Sequence, residues 1–340
     1  MTVQSVVYAD DGTASFDDPL AAKRADGTTW VRVVDPTPEE RATLESAFGL
    51  HPLSFEDVTE GDGRPKVEEF DDHTVILVKT ARLRAGDVAF VEELRVGAVG
   101  LFVGSDWLVT IAERESAAVG HIWDRVVRGE RRLLTRGPDF TASRIVDGIV
   151  DEYFDILDDI ETQIEVVEEQ AIAAPDATTL EQINDLRRDL LSVRRLLWPT
   201  RDALSTLARG DPEFVQEETE KYFRDVYDHL VQLVELVETY RDLVTGTRDI
   251  YLNSLSTSTN EVMKTLTVVA TIVLPLTLVA GIYGMNFEGG PYNMPELTWT
   301  FGYPAVLLGM AGIAGVMIAY FHRRAWLSHT GRPSVPTPRD

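Results

Sequence analysis

The sequence feature that most limits the fold is a long stretch with no strong helix breaker, between Gly210-Asp-Pro212 and Pro275. A helix from about Glu213 to Tyr283 would be ~105 Å long at 1.5 Å per residue. No ordinary globular helix reaches that length. Its far end is apolar: Leu266 to Ile282 has threonines as its only polar side chains. Pro304 to Phe321 is a second apolar run, packed with small residues such as Gly309, Ala311, Gly312, Ala314 and Gly315. Both runs are near the ~20 residues that cross a bilayer, and small residues suit helix contacts in lipid. The sequence therefore predicts an integral membrane protein with a stalk helix that projects into and then through the bilayer. Two buried core helices are the alternative; the flanking charges and aromatics favour spans.

Charge sets the expected orientation. Lys264 precedes the first span, and Arg323 and Arg324 follow the second. The connecting segment, Asn286 to Gly302, has no Lys or Arg, and its only charges are Glu288 and Glu296. By the positive-inside rule both termini are cytoplasmic and the loop is outside. Met1-Thr-Val-Gln-Ser has neither the basic start nor the apolar core of a signal peptide, which agrees with a cytoplasmic N-terminus. An acidic outer loop would draw cations to a pore mouth.

Upstream, residues 1 to about 137 read as mixed α/β. Trp30 to Val34, Thr74 to Val78, Leu94 to Val103 and Trp107 to Ile111 read as strands. Asp35-Pro-Thr-Pro-Glu-Glu40 has the prolines and acids of a helix start, and His51 to Val58 reads as a short helix. From about Asp139, isoleucines recur at helical spacing; Pro175-Asp176 breaks that helix, and Leu180 to Leu207 forms the next.

The chain has 340 residues and a formal net charge of −24, with no cysteine. Nucleic acid is excluded as a partner, because phosphate binding along a backbone needs clustered cations. Disulfides, Cys-ligated zinc, Fe–S clusters and thiol nucleophiles are excluded outright. The six histidines form no His-Glu-x-x-His or similar ligand spacing, and there is no Gly-x-x-x-x-Gly-Lys-Ser/Thr phosphate loop. Nothing in the sequence marks an enzyme. Most of the acids are expected to solvate the surface.

The first span carries a heptad seam: Asn260, Met263, Thr267, Ala270, Leu274, Thr277, Gly281 and Gly284, reaching back to Asn253 and Asp249. An ordinary seam would be filled with Leu and Ile. Here polar residues mark both ends and the middle is apolar. A small-residue helix contact would use Thr and Gly in this way. The alternative is a pore lined by one such helix from each of several subunits, with a dewetting constriction midway. A chain with two spans cannot enclose a pore alone, so that alternative requires an oligomer.

The span runs into Tyr283-Gly284-Met285-Asn286, and Met294-Pro-Glu-Leu297 follows in the loop. A Gly-Met-Asn tripeptide after the first of two C-terminal spans resembles the signature of the CorA family of magnesium and cobalt transporters. Further likeness lies in Gly49-Leu-His-Pro52, Arg64-Pro-Lys-Val-Glu68, Tyr222-Phe-Arg-Asp-Val-Tyr-Asp228 and Thr259-Asn-Glu-Val-Met-Lys264. The resemblance implies an α+β membrane protein: a cytoplasmic α/β/α domain, a long helical stalk and two transmembrane helices, assembled as a homopentamer in the plasma membrane. The expected boundaries are 1–137 for the α/β domain, 138–260 for a helical hairpin and stalk, and 261–285 for the pore-lining span. They continue as 286–303 for the outer loop, 304–322 for the second span and 323–340 for a basic tail.

The resemblance also assigns roles. Gly284, Met285 and Asn286 would form the selectivity filter, and Asn260 the inner polar ring. Met263, Leu266, Ala270 and Leu274 would form the constriction; relatives can carry Met where this chain has Leu274, a swap that conserves volume. Glu56 and Asp57 of one subunit would face Asp147 and Asp225 of its neighbour and bind regulatory Mg²⁺, while Asp249 would stand at the cytoplasmic mouth. Gly289-Gly-Pro-Tyr-Asn293 lengthens the outer loop. Mg²⁺ would be both cargo and regulatory ligand. A zinc carrier of the same superfamily and a membrane-anchored metal sensor that conducts nothing are the competing readings.

Overall fold

The computed structural model describes residues 3–10, 12–59, 63–82, 95–285, 294, 299–324 and 326. It divides into two compact units, Met1–Tyr251 and Leu252–Asp340. The break falls earlier than the 260/261 boundary expected from sequence, and the α/β part and the helical hairpin belong to one unit rather than two.

The N-terminal unit is built on a mixed sheet. Its described strands are β1 (Val3–Ala9), β2 (Gly12–Phe16), β3 (Thr28–Val34), β4 (Lys66–Glu69), β5 (Thr74–Arg82), β6 (Arg95–Val103) and β7 (Trp107–Ala112). They lie in the order β2-β1-β3-β7-β6-β5-β4. β3 and β7 pair in parallel, with Val31 opposite Val109; the other pairs are antiparallel. Side chains alternate across the pleat. On β5, Val75 and Leu77 enter one core, while Ile76 and Val78 enter the other. A sheet buried on both faces explains why its strands read as continuous apolar runs.

Two short helices cover the first face, α2 (Pro38–Phe48) and α3 (Pro52–Thr59). The Asp35–Glu40 start signal becomes a capping box: Thr37 Oγ1 accepts from the Glu40 amide, and Glu40 accepts from the Thr37 amide. Gly49 ends α2 in the left-handed region at φ 70°. Phe55 and Val58 of α3 are fully buried, contributing ~1.5–3 kcal/mol each. Gly100 on β6 lets α3 approach so closely, because a Cβ there would run into the Val58 side chain. α3 also carries Glu56 and Asp57.

The second face is covered by α4 (Ala117–Val127) and the long α6 (Pro138–Ala173), with α5 (Arg131–Leu134) between them. α1 (Pro19–Lys23) lies beside β1. α6 buries the predicted Ile145, Ile149, Ile156, Ile160 and Ile164. Asp176 then caps α7 (Ala177–Ala208), accepting from the Thr179 amide at 2.8 Å. Leu190, Val193 and Leu197 of α7 join the same core, as do Phe223, Leu230 and Leu233. These last three belong to α8, a single helix of 67 residues from Glu217 to Tyr283 that contains Pro275. The expected long helix is present and passes through that proline. α9 (Gly302–Arg323) covers the second apolar run.

Gly100→Ala is expected to push α3 off β6. The clash should cost ~1–3 kcal/mol, visible as a lower thermal midpoint of the purified protein, with the helical content of the folded state unchanged.

Candidate ion pathway and carboxylate cluster

The C-terminal unit holds the end of α8 and all of α9. Among the described residues these are the two helices long and apolar enough to cross a membrane. Their burial has a clear side. On α8, Val268 is buried, and Ile272, Pro275, Leu276, Val279 and Tyr283 are partly covered. These positions recur at three and four residues and form one stripe. On α9 the covered positions are Gly302, Val306, Met310, Ala314, Met317 and Phe321. The two stripes meet around a cleft of about 310 Å³ lined by Val279, Tyr283, Trp299, Ala305 and Gly309.

The heptad seam lies wholly on the other side of α8. Asn260, Met263, Thr267, Ala270, Leu274, Thr277, Gly281 and Gly284 are all exposed, as is Leu266. Met263 is 55% exposed, Leu266 61% and Leu274 68%, although all three are apolar. Among the described residues nothing covers them.

The threonines on this face are already half satisfied. Thr267 Oγ1 donates to the Met263 carbonyl at 2.7 Å, and Thr277 Oγ1 to the Val273 carbonyl at 3.0 Å. Their protons are thereby committed to the backbone. The oxygens keep lone pairs on the exposed face and act there as neutral acceptors. α8 ends in a tight turn: the Gly284 amide donates to the Ala280 carbonyl at 2.9 Å, and the Met285 amide to that of Ile282 at 3.2 Å. A Cβ on Gly284 would lie 3.1 Å from the Ala280 oxygen, so a small residue fits best. Asn286, Glu288 and Glu296 lie outside the described residues.

The second candidate is in the N-terminal unit. Asp147 and Asp151 on α6 face His229 on α8, and their ligand atoms all lie within 4.8 Å of one another. Asp147 is buried, pairing with Arg144 at 2.8 Å and with His229 Nδ1 at 3.9 Å. Burial raises the Asp147 pKa above the ordinary carboxylate range against the pull of Arg144; Asp151 and Asp225 raise it further, and His229 opposes them. His229 Nδ1 is buried without a hydrogen bond. Asp225 is exposed, one turn before His229 on the same helix. Of the expected Asp147 and Asp225, only Asp147 belongs to this group; Asp151 and His229, which the sequence reading did not assign, complete it, and Asp225 acts on Asp147 through its charge. The spacing of Asp225 and His229, four apart on one helix face, was the available signal.

Glu56 and Asp57 stand elsewhere. Asp57 pairs with Lys66 at 2.6 Å, and Lys66 also holds Glu68 at 2.8 Å. The two carboxylates outweigh the opposing desolvation and raise the Lys66 pKa. Among the described residues of one chain, this pair forms no group with Asp147 and Asp225. Asp249 is exposed on α8.

An α/β unit, one very long helix and two C-terminal spans define a membrane protein whose first span presents a polar-ended stripe. Residues 25–323 match the family model described as CorA-like Mg²⁺ transporter protein. The chain belongs to that family, whose members are ion transporters and not enzymes. It is 40% identical over 320 residues to the cobalt/magnesium transport protein CorA of Thermotoga maritima, covering 93% of this chain and 88% of the relative. The solved CorA magnesium transporter of Methanocaldococcus jannaschii superposes with a TM-score of 0.79 at 26% identity, covering 96% of this chain and 99% of that one.

The raised pKa of Asp147 gives a pH dependence with a definite sign. Its charged form is the costly one in the folded state, so the cost is absent at low pH and appears as pH rises through the raised pKa. A divalent cation among Asp147, Asp151 and His229 needs the deprotonated carboxylates and would remove that cost. Mg²⁺ is therefore expected to raise the thermal midpoint more at pH 7.5 than at pH 5, and Asp147→Asn to lose most of the shift. Differential scanning fluorimetry with and without Mg²⁺ measures both.

Proposed function

We propose that the chain assembles as a homopentamer in the plasma membrane and conducts Mg²⁺, with Co²⁺ as a second cargo, into the cell. The observation that carries this reading is the bare seam of α8. One α8 from each of several copies, seams inward, would cover the exposed Met263, Leu266 and Leu274 and enclose a conduit. α9 would then face lipid on the outside of the ring. The termini are cytoplasmic in this arrangement, as the flanking Lys264, Arg323 and Arg324 favour.

The chemistry of the seam suits Mg²⁺. This ion holds its waters tightly and demands near-octahedral oxygen geometry. Neutral oxygens can accept hydrogen bonds from its coordinated waters without trapping a dication. Asn286 supplies an amide ring at the outer mouth, with Gly284 and Met285 shaping the turn that presents it. Thr277 and Thr267 offer hydroxyl acceptors further in, and Asn260 a second amide ring. Between them Met263, Leu266, Ala270 and Leu274 form an apolar neck that closes by dewetting. Glu288 and Glu296 concentrate cations outside, and Asp249 receives them inside. Two charges falling through 100 mV release about 4.6 kcal/mol, twice the per-charge value, so no ATP is needed.

Cytoplasmic Mg²⁺ closes the channel in this reading. It binds between Glu56 and Asp57 of one subunit and Asp147 and Asp225 of the next, with Asp151 and His229 beside them. Lys66 neutralises Asp57 while the site is empty and yields it to the metal. The same α8 that carries Asp225 and His229 continues to Met263, so the site and the neck lie on one helix.

Parent protein and Asn286→Ala are to be compared in liposomes under an inside-negative potential, with a Mg²⁺-sensitive dye inside. The parent should take up Mg²⁺, and the variant should lose most of the rate while assembling normally, since the amide oxygens that would accept from the hydrated ion are gone. Uptake of Zn²⁺ but not Mg²⁺ by the parent would give the zinc reading instead.

A further inference from the structure

The chain has 56 Asp and Glu against 32 Lys and Arg, so acids to pair with are plentiful. Arg32 takes Glu115, Arg41 takes Glu45, Arg144 takes Asp147 and Arg194 takes Glu238. Among the described residues Arg132, Arg136 and Lys221 take no such partner, and neither do Arg131, Arg187 and Arg224. Glu130, which acts on Arg132 at a distance, has both oxygens held by Arg125 at 2.6 Å.

Arg132, Arg136 and Lys221 gather around Tyr222. Arg136 Nη1 donates to Tyr222 Oη at 2.7 Å. Arg132 acts on the same hydroxyl, and Lys221 Nζ lies 5.3 Å from the Tyr222 ring centroid. The Arg136 guanidinium is fixed by two rings, 4.4 Å from the Phe140 centroid and 5.2 Å from that of Tyr222. Phe140 is buried and meets Tyr222 edge-on at 5.0 Å, which anchors the arrangement to the core. The Arg136 hydrogen bond holds the Tyr222 hydroxyl below the usual phenol range, and Arg132 and Lys221 act in the same direction.

Like charges this close repel unless an anion stands among them. We propose that Arg132, Arg136, Lys221 and the Tyr222 hydroxyl form a binding site for a phosphate-bearing anion. Guanidinium forks match phosphate oxygens, and lysine adds a point charge. The Tyr222 hydroxyl accepts from Arg136 and keeps its own proton to donate to a phosphate oxygen. A doubly charged phosphate balances three cations better than one carboxylate does. Arg136 also lines an open cavity of about 620 Å³, with Thr28, Ser105, Thr135 and Gly137 on its wall. That space exceeds what a bare phosphate fills and is within the range of small-molecule sites. Asp10 and Asp106 line it as well, which confines the anion to the Arg136 end.

The test is equilibrium dialysis of full-length, detergent-solubilised and EDTA-washed protein against radiolabelled inorganic phosphate and, separately, adenosine 5′-monophosphate. The double variant R132Q/K221Q changes two exposed side chains and leaves the Arg136 stack in place. Saturable binding in the parent, weakened about tenfold or more in the variant and by added salt, is the expected result. Tighter binding of the nucleotide than of phosphate identifies a nucleotide as the occupant; equal binding identifies the phosphate group alone. No saturable binding of either probe, or equal binding by parent and variant, overturns the proposal. So does a variant that loses its oligomeric state when the parent binds neither probe, since the cations then serve carboxylates of a second copy.

Discussion

A helix in hydrocarbon must satisfy its backbone internally, and its polar side chains need partners or water. The membrane end of α8 meets the first demand by being helical, with threonine hydroxyls returned to carbonyls one turn back. It fails the second within one chain. α9 covers the stripe through Val268, Val279 and Tyr283, and the seam through Met263, Thr267 and Leu274 stays bare. Lipid would suit the leucine and the methionine but not Asn260. Water would suit the polar ends but not the middle. Only an assembly that puts water at both ends of the seam and apolar neighbours at its centre suits all of it. The oligomer and the conduit proposed above would resolve that one mismatch.

The N-terminal unit supplies a second unbalanced element of the opposite kind. Its cores are closed, with both sheet faces buried, so α3, α6 and α8 are held firmly. On that rigid frame Asp147 and Asp151 stand together beside an unbonded His229 nitrogen, and burial makes the Asp147 charge costly. A divalent cation bound there would relieve that cost. Lys66 neutralises Asp57 from within the chain. One helix, α8, bears both the cation-seeking residues and the bare seam, which makes it the natural link between them.

Sequence reading located the long helix, its breaks at Pro175-Asp176 and Gly210-Asp-Pro212, both spans and the seam, because each rests on local periodicity or on residues that end helices. It also placed the start of α2, where Thr37 and Glu40 form a local cap. It missed β1, β2, β4, α1, α4 and α5. β4 is Lys66-Val-Glu-Glu69, which has no apolar alternation; it is a strand because β5 pairs with it. α4 had local signals that the reading passed over: Ser116 caps it, accepting from the Val119 amide, and Val119, Ile122, Trp123 and Val126 share its buried face. His229 was set aside as an isolated histidine, since its partners on α6 lie far away in the chain and only packing brings them together. The convergence of Arg132 and Arg136 with Lys221 was invisible for the same reason. The boundary at Tyr251 depends on where packing stops, whereas periodicity continues through it.

The most direct measurement is disulfide formation between copies in the membrane. The chain has no cysteine, so Leu274→Cys and Val268→Cys each introduce a single reporter on opposite stripes of one helix. Under mild oxidation, Leu274→Cys should give covalent dimers across the conduit, and Val268→Cys, facing α9 of its own chain, should stay monomeric. Dimers from Val268→Cys with none from Leu274→Cys would place the seam in lipid and contradict a shared pore.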